Sequence, residues 1–79
     1  MNTELLGMSN EELIQWAHKH SVLTETSLRK FLPDIELYCA QHPISVQVFV
    51  EKLVVMSNMG IRAALAVKQL KEYYANSSR

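Results

Sequence analysis

Two short groups in the sequence carry side chains of the types that bind zinc. His18-x-His20 supplies two imidazoles, and Cys39-x-x-His42 supplies a thiol and a third imidazole. Cys39 and His42 are three residues apart, so they would share one face of a helix. His18 and His20 are two residues apart and would not, and His20 is better explained as a residue at the edge of the core or at the end of a helix. We therefore expect neither a metal site nor a cofactor.

Residues for nucleophilic or phosphate chemistry are also scarce. Nucleophilic catalysis needs a serine or cysteine beside a positioned base, and no serine stands in a recognisable motif of that kind. Cys39 is expected to pack as a small apolar residue. The chain has only two glycines, at positions 7 and 60, which excludes a glycine-rich phosphate loop. The paired carboxylates Glu11 and Glu12 are explained by helix capping, so the sequence predicts a protein without catalytic activity.

The element around which the other segments are expected to pack is the apolar stretch from Ile44 to Met59. A helix over 45–58 would have a broad apolar face formed by Val46, Phe49, Val50, Leu53, Val54 and Met56. A second stripe, roughly opposite, would be formed by Val48, Val55 and Met59. The residues left for water would be Gln47, Glu51, Lys52, Ser57 and Asn58. So little polar surface predicts a helix buried in the middle of the fold or between two copies of it.

A β-strand is the competing interpretation of the same stretch. Ile44, Val46, Val48 and Val50 alternate with other residues, which is typical of a half-buried strand. Each valine in a helix costs roughly 0.5 kcal/mol relative to alanine, whereas its burial returns roughly 1.5 kcal/mol or more. The continuation LVVMSNM breaks the alternation and keeps the helical spacing, so we prefer the helix.

Capping residues delimit the helices before this stretch. Ser9, with Glu12 three residues later, forms a capping box, which predicts a helix over 10–20. Its apolar face would be formed by Leu13, Trp16, Ala17 and His20. Thr24 is the next capping residue and predicts a helix over 25–31 with Leu28, Phe31 and Leu32 directed inward.

Proline and glycine set the remaining boundaries. Pro33 predicts a break near Leu32 and a new helix over 33–41, with a single kinked helix over 25–41 as the alternative. Gly60 suits the left-handed conformation that ends helices, so the central helix should stop there. The last helix is predicted over 61–75. Its apolar side would be formed by Ala63, Ala66, Val67, Leu70, Tyr73 and Tyr74.

Composition bounds the class of protein. The 79 residues are 48% hydrophobic and 20% charged, which is typical of one globular domain. We expect no signal peptide, no membrane span, and a cytoplasmic location in which the lone Cys39 stays reduced. The formal net charge is zero, but four glutamates and one lysine lie in residues 1–25, against five basic residues and one acidic residue in 52–79. Such an asymmetry would suit head-to-tail contacts or an acidic partner.

These features together predict an all-α fold, a bundle of four or five short helices around the central helix 45–58. Residues 1–79 would form one domain, with 1–8 and 76–79 loosely ordered. Residues 1–8 would form a turn or short helix whose Leu5, Leu6 and Met8 cover an edge of the core. The predicted function is a noncatalytic protein–protein interaction module, an adaptor, inhibitor or regulator, that forms a homodimer or binds a larger protein. Its partner-binding residues would lie on the second stripe of the central helix and on the start of the last helix: Val48, Val55, Met59, Ile61, Arg62, Leu65 and Lys68.

The alternative function is a helix-turn-helix-like DNA-binding regulator built from the helix pair 45–58 and 61–75. The second helix of that pair carries basic and amide side chains, among them Arg62, Lys68 and Gln69. However, base-reading residues should concentrate at the start of this helix, where Ala63 and Leu65 stand instead. Nucleic acid is therefore the less favoured partner.

Overall fold

A computed structural model describes residues 3–77 of the chain, and the side chains of residues 5–76. A 3-10 helix comes first and four α-helices follow it. Their bounds are Thr3–Gly7 for the 3-10 helix, Asn10–Lys19 for α1, Glu25–Ala40 for α2, Val46–Asn58 for α3 and Ala63–Ser77 for α4. No strand occurs within residues 3–77, which confirms the all-α bundle. No helix in that range has both the length and the hydropathy needed to cross a membrane.

Helix α3 occupies the centre of the bundle. It packs against α1, α2, α4 and the 3-10 helix, while α2 also packs against α1 and α4. Its buried side chains are Phe49, Val50, Leu53, Val54 and Ser57. The predicted broad face is therefore the core face, with Val46 and Met56 half-buried at its edge. Ser57, which was expected to face water, is also buried. Its hydroxyl instead donates to the Val54 carbonyl at 2.9 Å, which allows a polar side chain to be buried there.

The predicted N-terminal caps of three helices are confirmed. The Ser9 hydroxyl accepts from the Glu12 N–H at 3.2 Å, and the Ser9 N–H donates to the Glu12 carboxylate at 3.0 Å, which completes the capping box. Thr24 accepts from the backbone N–H of Ser27, and Ser45 accepts from that of Val48, both at 3.1 Å. Local hydrogen bonding therefore fixes where α1, α2 and α3 begin.

The predicted break at Leu32 is wrong, because α2 runs without interruption from Glu25 to Ala40 with Pro33 inside it. The alternative of one helix is the observed structure. Pro33 lies on the exposed side of α2, whereas Leu28, Leu32 and Ile35 on the other side are buried in the core. Burial of three large side chains outweighs the roughly 3 kcal/mol that an internal proline costs a helix.

Helix α1 differs from its predicted register in two side chains. Ile14 is buried together with Leu13 and Ala17, although it was not assigned to the apolar face. His20 was assigned to that face but is exposed and forms the C-cap of α1, where its ring lies 5.0 Å from that of the half-buried Trp16. The side of α1 that faces the core is therefore shifted toward Ile14 and away from His20, relative to the predicted face.

The connection between α3 and α4 is closed by backbone hydrogen bonds around Gly60. The Ile61 N–H donates to the Met56 carbonyl at 3.1 Å, and the Gly60 N–H donates to the Ser57 carbonyl at 3.0 Å. This pair of hydrogen bonds defines a Schellman motif, in which the residue directly after the C-cap adopts a positive φ. Gly60 has a φ of 91°, as predicted for the residue that ends the central helix.

The segment before α1 contributes to the core. Leu5 in the 3-10 helix is fully buried, whereas its neighbour Leu6 is exposed. The Gln47 side-chain amide donates to the Met8 carbonyl at 3.3 Å and links this segment to α3. The predicted loose order of 1–8 and 76–79 concerns in part residues 1, 2, 78 and 79, which lie outside the described residues.

Candidate protein-binding surface

The outer side of α3 carries the first group of predicted partner-binding residues. Val55 is 54% exposed and Met59 is 72% exposed, while Val48 is half-buried. Intervals of seven and four residues place the three side chains along one line of the helix. The core face of α3 points the other way, so the bundle leaves this line uncovered at Val55 and Met59 and partly covers it at Val48.

The start of α4 carries the second group. Leu65, Arg62 and Lys68 are exposed, as partner-binding residues would need to be. Ile61 is placed differently from the prediction, because α4 begins at Ala63 and not at residue 61. Ile61 belongs to the α3–α4 connection, and its half-buried side chain packs against the core. It follows Gly60 in the Schellman motif, a position where an apolar residue usually contacts the preceding helix.

A groove between α3 and α4 was not anticipated from the sequence. It has a volume of about 290 Å³ and is lined by Lys52, Val55 and Met56 from α3 and by Leu70 and Tyr73 from α4. Of these five residues, only Val55 was among the predicted partner-binding set. Tyr73 was assigned to the apolar side of α4 but is exposed. The spacing of three or four residues places the lining side chains on one face of each helix, but it does not indicate that the two faces lie side by side.

Exposed apolar side chains are concentrated on this pair of helices. Within the described residues, seven large apolar side chains are exposed, and four of them lie on α3, on α4 or between them. We name these four the α3–α4 surface: Val55, Met59, Leu65 and Tyr73. The other three are Leu6, Val22 and Leu37. These stand on three separate segments, the 3-10 helix, the α1–α2 connection and α2.

Ion pairs in the described part of the chain are centred on α2. The Arg29 guanidinium bonds both carboxylate oxygens of Glu11, at 2.5 and 2.9 Å, and lies 3.7 Å from the carboxylate of Glu25. Lys71 pairs with Asp34 and so joins α4 to α2. Lys52, Arg62 and Lys68 take part in no ion pair with the described residues. Their positive charges are therefore not neutralised by a carboxylate within that part of the fold.

The candidate zinc ligands do not form a cluster. Among the described side chains, no group of three or more histidine, cysteine, aspartate or glutamate residues is placed to hold a metal ion. The His18 ring bonds the Leu23 carbonyl at 2.8 Å, and the His42 ring bonds the Tyr38 carbonyl at 2.9 Å and stacks on the Tyr38 ring. Burial raises the pKa of the Cys39 thiol, which lowers its thiolate fraction and hence its nucleophilicity.

The Tyr38 region is better described as a structural contact between α2 and α4. The Tyr38 hydroxyl donates to the Lys71 carbonyl at 2.8 Å, and its ring meets Phe49 edge to face. Burial raises the pKa of this hydroxyl, so it stays protonated and able to donate at neutral pH. Its polar groups are thus occupied in holding helices together.

Comparison with known proteins adds no relative. No family model, no curated protein and no solved structure matches this chain. Any functional conclusion therefore rests on the residues and their arrangement.

Proposed function

We propose that this protein is a noncatalytic protein–protein interaction module, an adaptor, inhibitor or regulator, that binds its partner through the α3–α4 surface. The observation that carries the proposal is the concentration of exposed apolar side chains on one pair of helices. Single exposed apolar residues are normal, but a group of them on one part of a protein is typical of a binding site. The exposed cations Arg62 and Lys68 would belong to the polar rim that surrounds such a site.

The partner that the sequence favours first is a second copy of the chain, and a larger protein is the other. A 79-residue domain buries a smaller share of its surface than a larger one, and its stability is on the order of 4–12 kcal/mol. An added interface would therefore raise its stability by a large fraction. Val55 and Leu65 are the residues to test, because both are exposed and can be changed without opening the core.

The proposal is tested by sedimentation equilibrium at tens of micromolar, with Val55→Glu and Leu65→Glu as variants. We expect the wild-type chain to sediment as a dimer and both variants as folded monomers. A glutamate at either position would face water in the monomer but would be buried without a partner in the dimer. Circular dichroism before and after the run checks that the helices are retained.

Leu37→Glu is the matched control, since Leu37 is 63% exposed, lies on α2 and is not one of the four residues of the α3–α4 surface. This variant should dimerise like the wild type. A wild-type monomer at the highest concentration would remove the homodimer and leave a different protein as the partner. If Val55→Glu and Leu65→Glu then retained every protein captured by the wild type from host lysate, the α3–α4 surface would not be the binding site.

DNA binding is the second candidate, and the observation that favours it is that Arg62 and Lys68 form no ion pair with the described residues. A fluorescence-anisotropy titration with duplex DNA at two salt concentrations separates the candidates. Binding through phosphates weakens steeply with salt because counterions are released, whereas a largely apolar protein interface does not respond in this way.

A further inference from the structure

The groove between α3 and α4 is an open depression with room for one side chain. About one turn of each helix lines it, and the four apolar residues around it are Val55, Met56, Leu70 and Tyr73. A space bounded by four side chains is the arrangement that receives a single side chain from a facing helix. Its volume of about 290 Å³ lies at the lower limit for small-molecule pockets, which favours one bulky side chain as the occupant.

Lys52 gives the groove its charge. It is the one charged residue among the five that line the groove, and no carboxylate from the side chains of residues 5–76 lines it. Lys52 is exposed and forms no ion pair with the described residues. Helices α3 and α4 with their connection carry four basic and two acidic residues, so this half of the fold has an excess of two positive charges. An occupant with a carboxylate beside its apolar side chain would complement both features.

A second copy of the chain fits this groove less well than an acidic partner does. A two-fold dimer places the same patch of both subunits against each other. If the groove were at its centre, the two Lys52 ammonium groups would approach each other with no carboxylate in the lining to separate them. Like charges brought together at an interface are unfavourable, whereas opposite charges also speed association and fix the register of the two partners.

We propose that the α3–α4 groove binds an acidic amphipathic helix of another protein. One bulky apolar side chain of that helix enters between Val55, Met56, Leu70 and Tyr73, and a carboxylate one helical turn away pairs with Lys52. This is the helix-in-groove mode of recognition, in which a few side chains at helical spacing provide the anchors. The inference rests on the proposed function with a larger protein as the partner, because Val55 cannot be buried in a homodimer and also line a groove that receives a helix of another protein.

The test uses a displayed library of helical peptides as the probe. Every member carries apolar residues at helical spacing, and the intervening positions vary among acidic, basic and neutral residues. Selection on the wild-type protein should enrich peptides that combine one aromatic or leucine anchor with a glutamate or aspartate one turn away. The most enriched peptide is then synthesised and titrated by fluorescence anisotropy against the wild type, Lys52→Glu and Tyr73→Ala.

Each variant should lower the affinity for the peptide by about tenfold or more. Lys52→Glu removes the charge pair, and Tyr73→Ala removes one side of the groove. A peptide in which lysine replaces the selected carboxylate should regain affinity for Lys52→Glu and not for the wild type. Lys30→Glu is the matched control, because Lys30 is an exposed lysine on α2. It should bind like the wild type.

Two results would overturn the inference. One is a selection that enriches no peptide, or enriches basic ones. The other is an enriched peptide whose affinity changes less than about twofold in both Lys52→Glu and Tyr73→Ala, which would place its site elsewhere. If Val55→Glu and Leu65→Glu still changed the oligomeric state or the capture of a partner, the proposed function would stand without the acidic helix.

Discussion

Ser9 and Glu12 show how much a single pair of residues determines at the start of α1. Each side chain accepts a hydrogen bond from the backbone of the other, so two N–H groups without a helical partner are satisfied. The bond from the Ser9 N–H stabilises the ionised carboxylate and lowers the pKa of Glu12 below its ordinary value. This contribution to stability depends on pH.

The sign of that dependence follows from the lowered pKa. The unfolded chain takes up a proton at Glu12 near pH 4.3, at a higher pH than the folded chain does. The contribution is therefore complete above that pH and is lost as the pH falls through the lower value of the folded state. Glu12→Gln keeps an oxygen that can accept from the Ser9 N–H but has no charge to titrate.

We predict that urea unfolding from about pH 7 to about pH 3 separates the wild type from Glu12→Gln. The wild-type stability should fall more steeply with acidification below about pH 5, and the difference between the two proteins should be constant above it. Glu11, whose pKa is lowered mainly by its hydrogen bond to Arg29, is present in both proteins and cancels from the comparison. Parallel curves over the whole range would show that the carboxylate does not cap α1 in solution.

Such capping signals could be predicted from the sequence because they depend on residues three positions apart. Ser57 could not, because its burial depends on which face of α3 the other helices cover. A serine near a helix end usually faces water. Its bond to the Val54 carbonyl is a local bond that serines in helices often form, but such a bond does not indicate whether the side chain is buried. The distinction is between local hydrogen bonding and tertiary packing.

At the scale of elements, α2 is the clearest case in which packing outweighs a local signal. Pro33 has no N–H to offer the Arg29 carbonyl four residues earlier, and its ring crowds that carbonyl. This local penalty predicts two helices, with a break near Leu32, in preference to a single kinked helix over 25–41. The gain from keeping Leu28, Leu32 and Ile35 on one continuous buried face was not visible without the core they enter.

Pro33→Ala is therefore expected to stabilise the protein. Alanine restores the hydrogen bond to the Arg29 carbonyl, which should raise the free energy of unfolding by about 3 kcal/mol. The unfolded chain becomes more flexible without the proline, which should lower the free energy of unfolding by up to about 1 kcal/mol. The net gain should be about 2–3 kcal/mol in urea unfolding. Pro43→Ala is the control, since Pro43 lies in the α2–α3 connection and no helical hydrogen bond is restored there. An equal change in both variants would contradict the assignment of the cost to the missing bond.

The α3–α4 pair shows how far residue spacing along a helix determines which side chains are exposed. The helical spacing of α3 correctly separated its core face from the line of Val55 and Met59, because α3 starts where its capping residue predicted. Ile61 was misplaced because the Schellman motif delays the start of α4. The groove itself depends on how α3 and α4 are placed side by side, which the spacing within either helix does not determine.

At the scale of the whole molecule, the N-terminal segment is part of the core that surrounds α3. The 3-10 helix packs against α3, and Leu5 enters the same cluster of buried residues as Phe49 and Leu53. Leu5 precedes the first residue of α3 by more than forty residues in the sequence. Its order therefore depends on tertiary packing.

Leu5→Ala and Leu6→Ala form a matched pair that tests this arrangement. Leu5 is 0% exposed and Leu6 is 52% exposed, although the two are adjacent in the same 3-10 helix. Leu5→Ala should lower the free energy of unfolding by about 2–5 kcal/mol, because it leaves a cavity beside α3. Leu6→Ala should change it by less than about 1 kcal/mol, since that side chain is largely in water already. Urea unfolding followed by circular dichroism measures both, and equal small effects would mean that the 3-10 helix does not dock on α3 in solution.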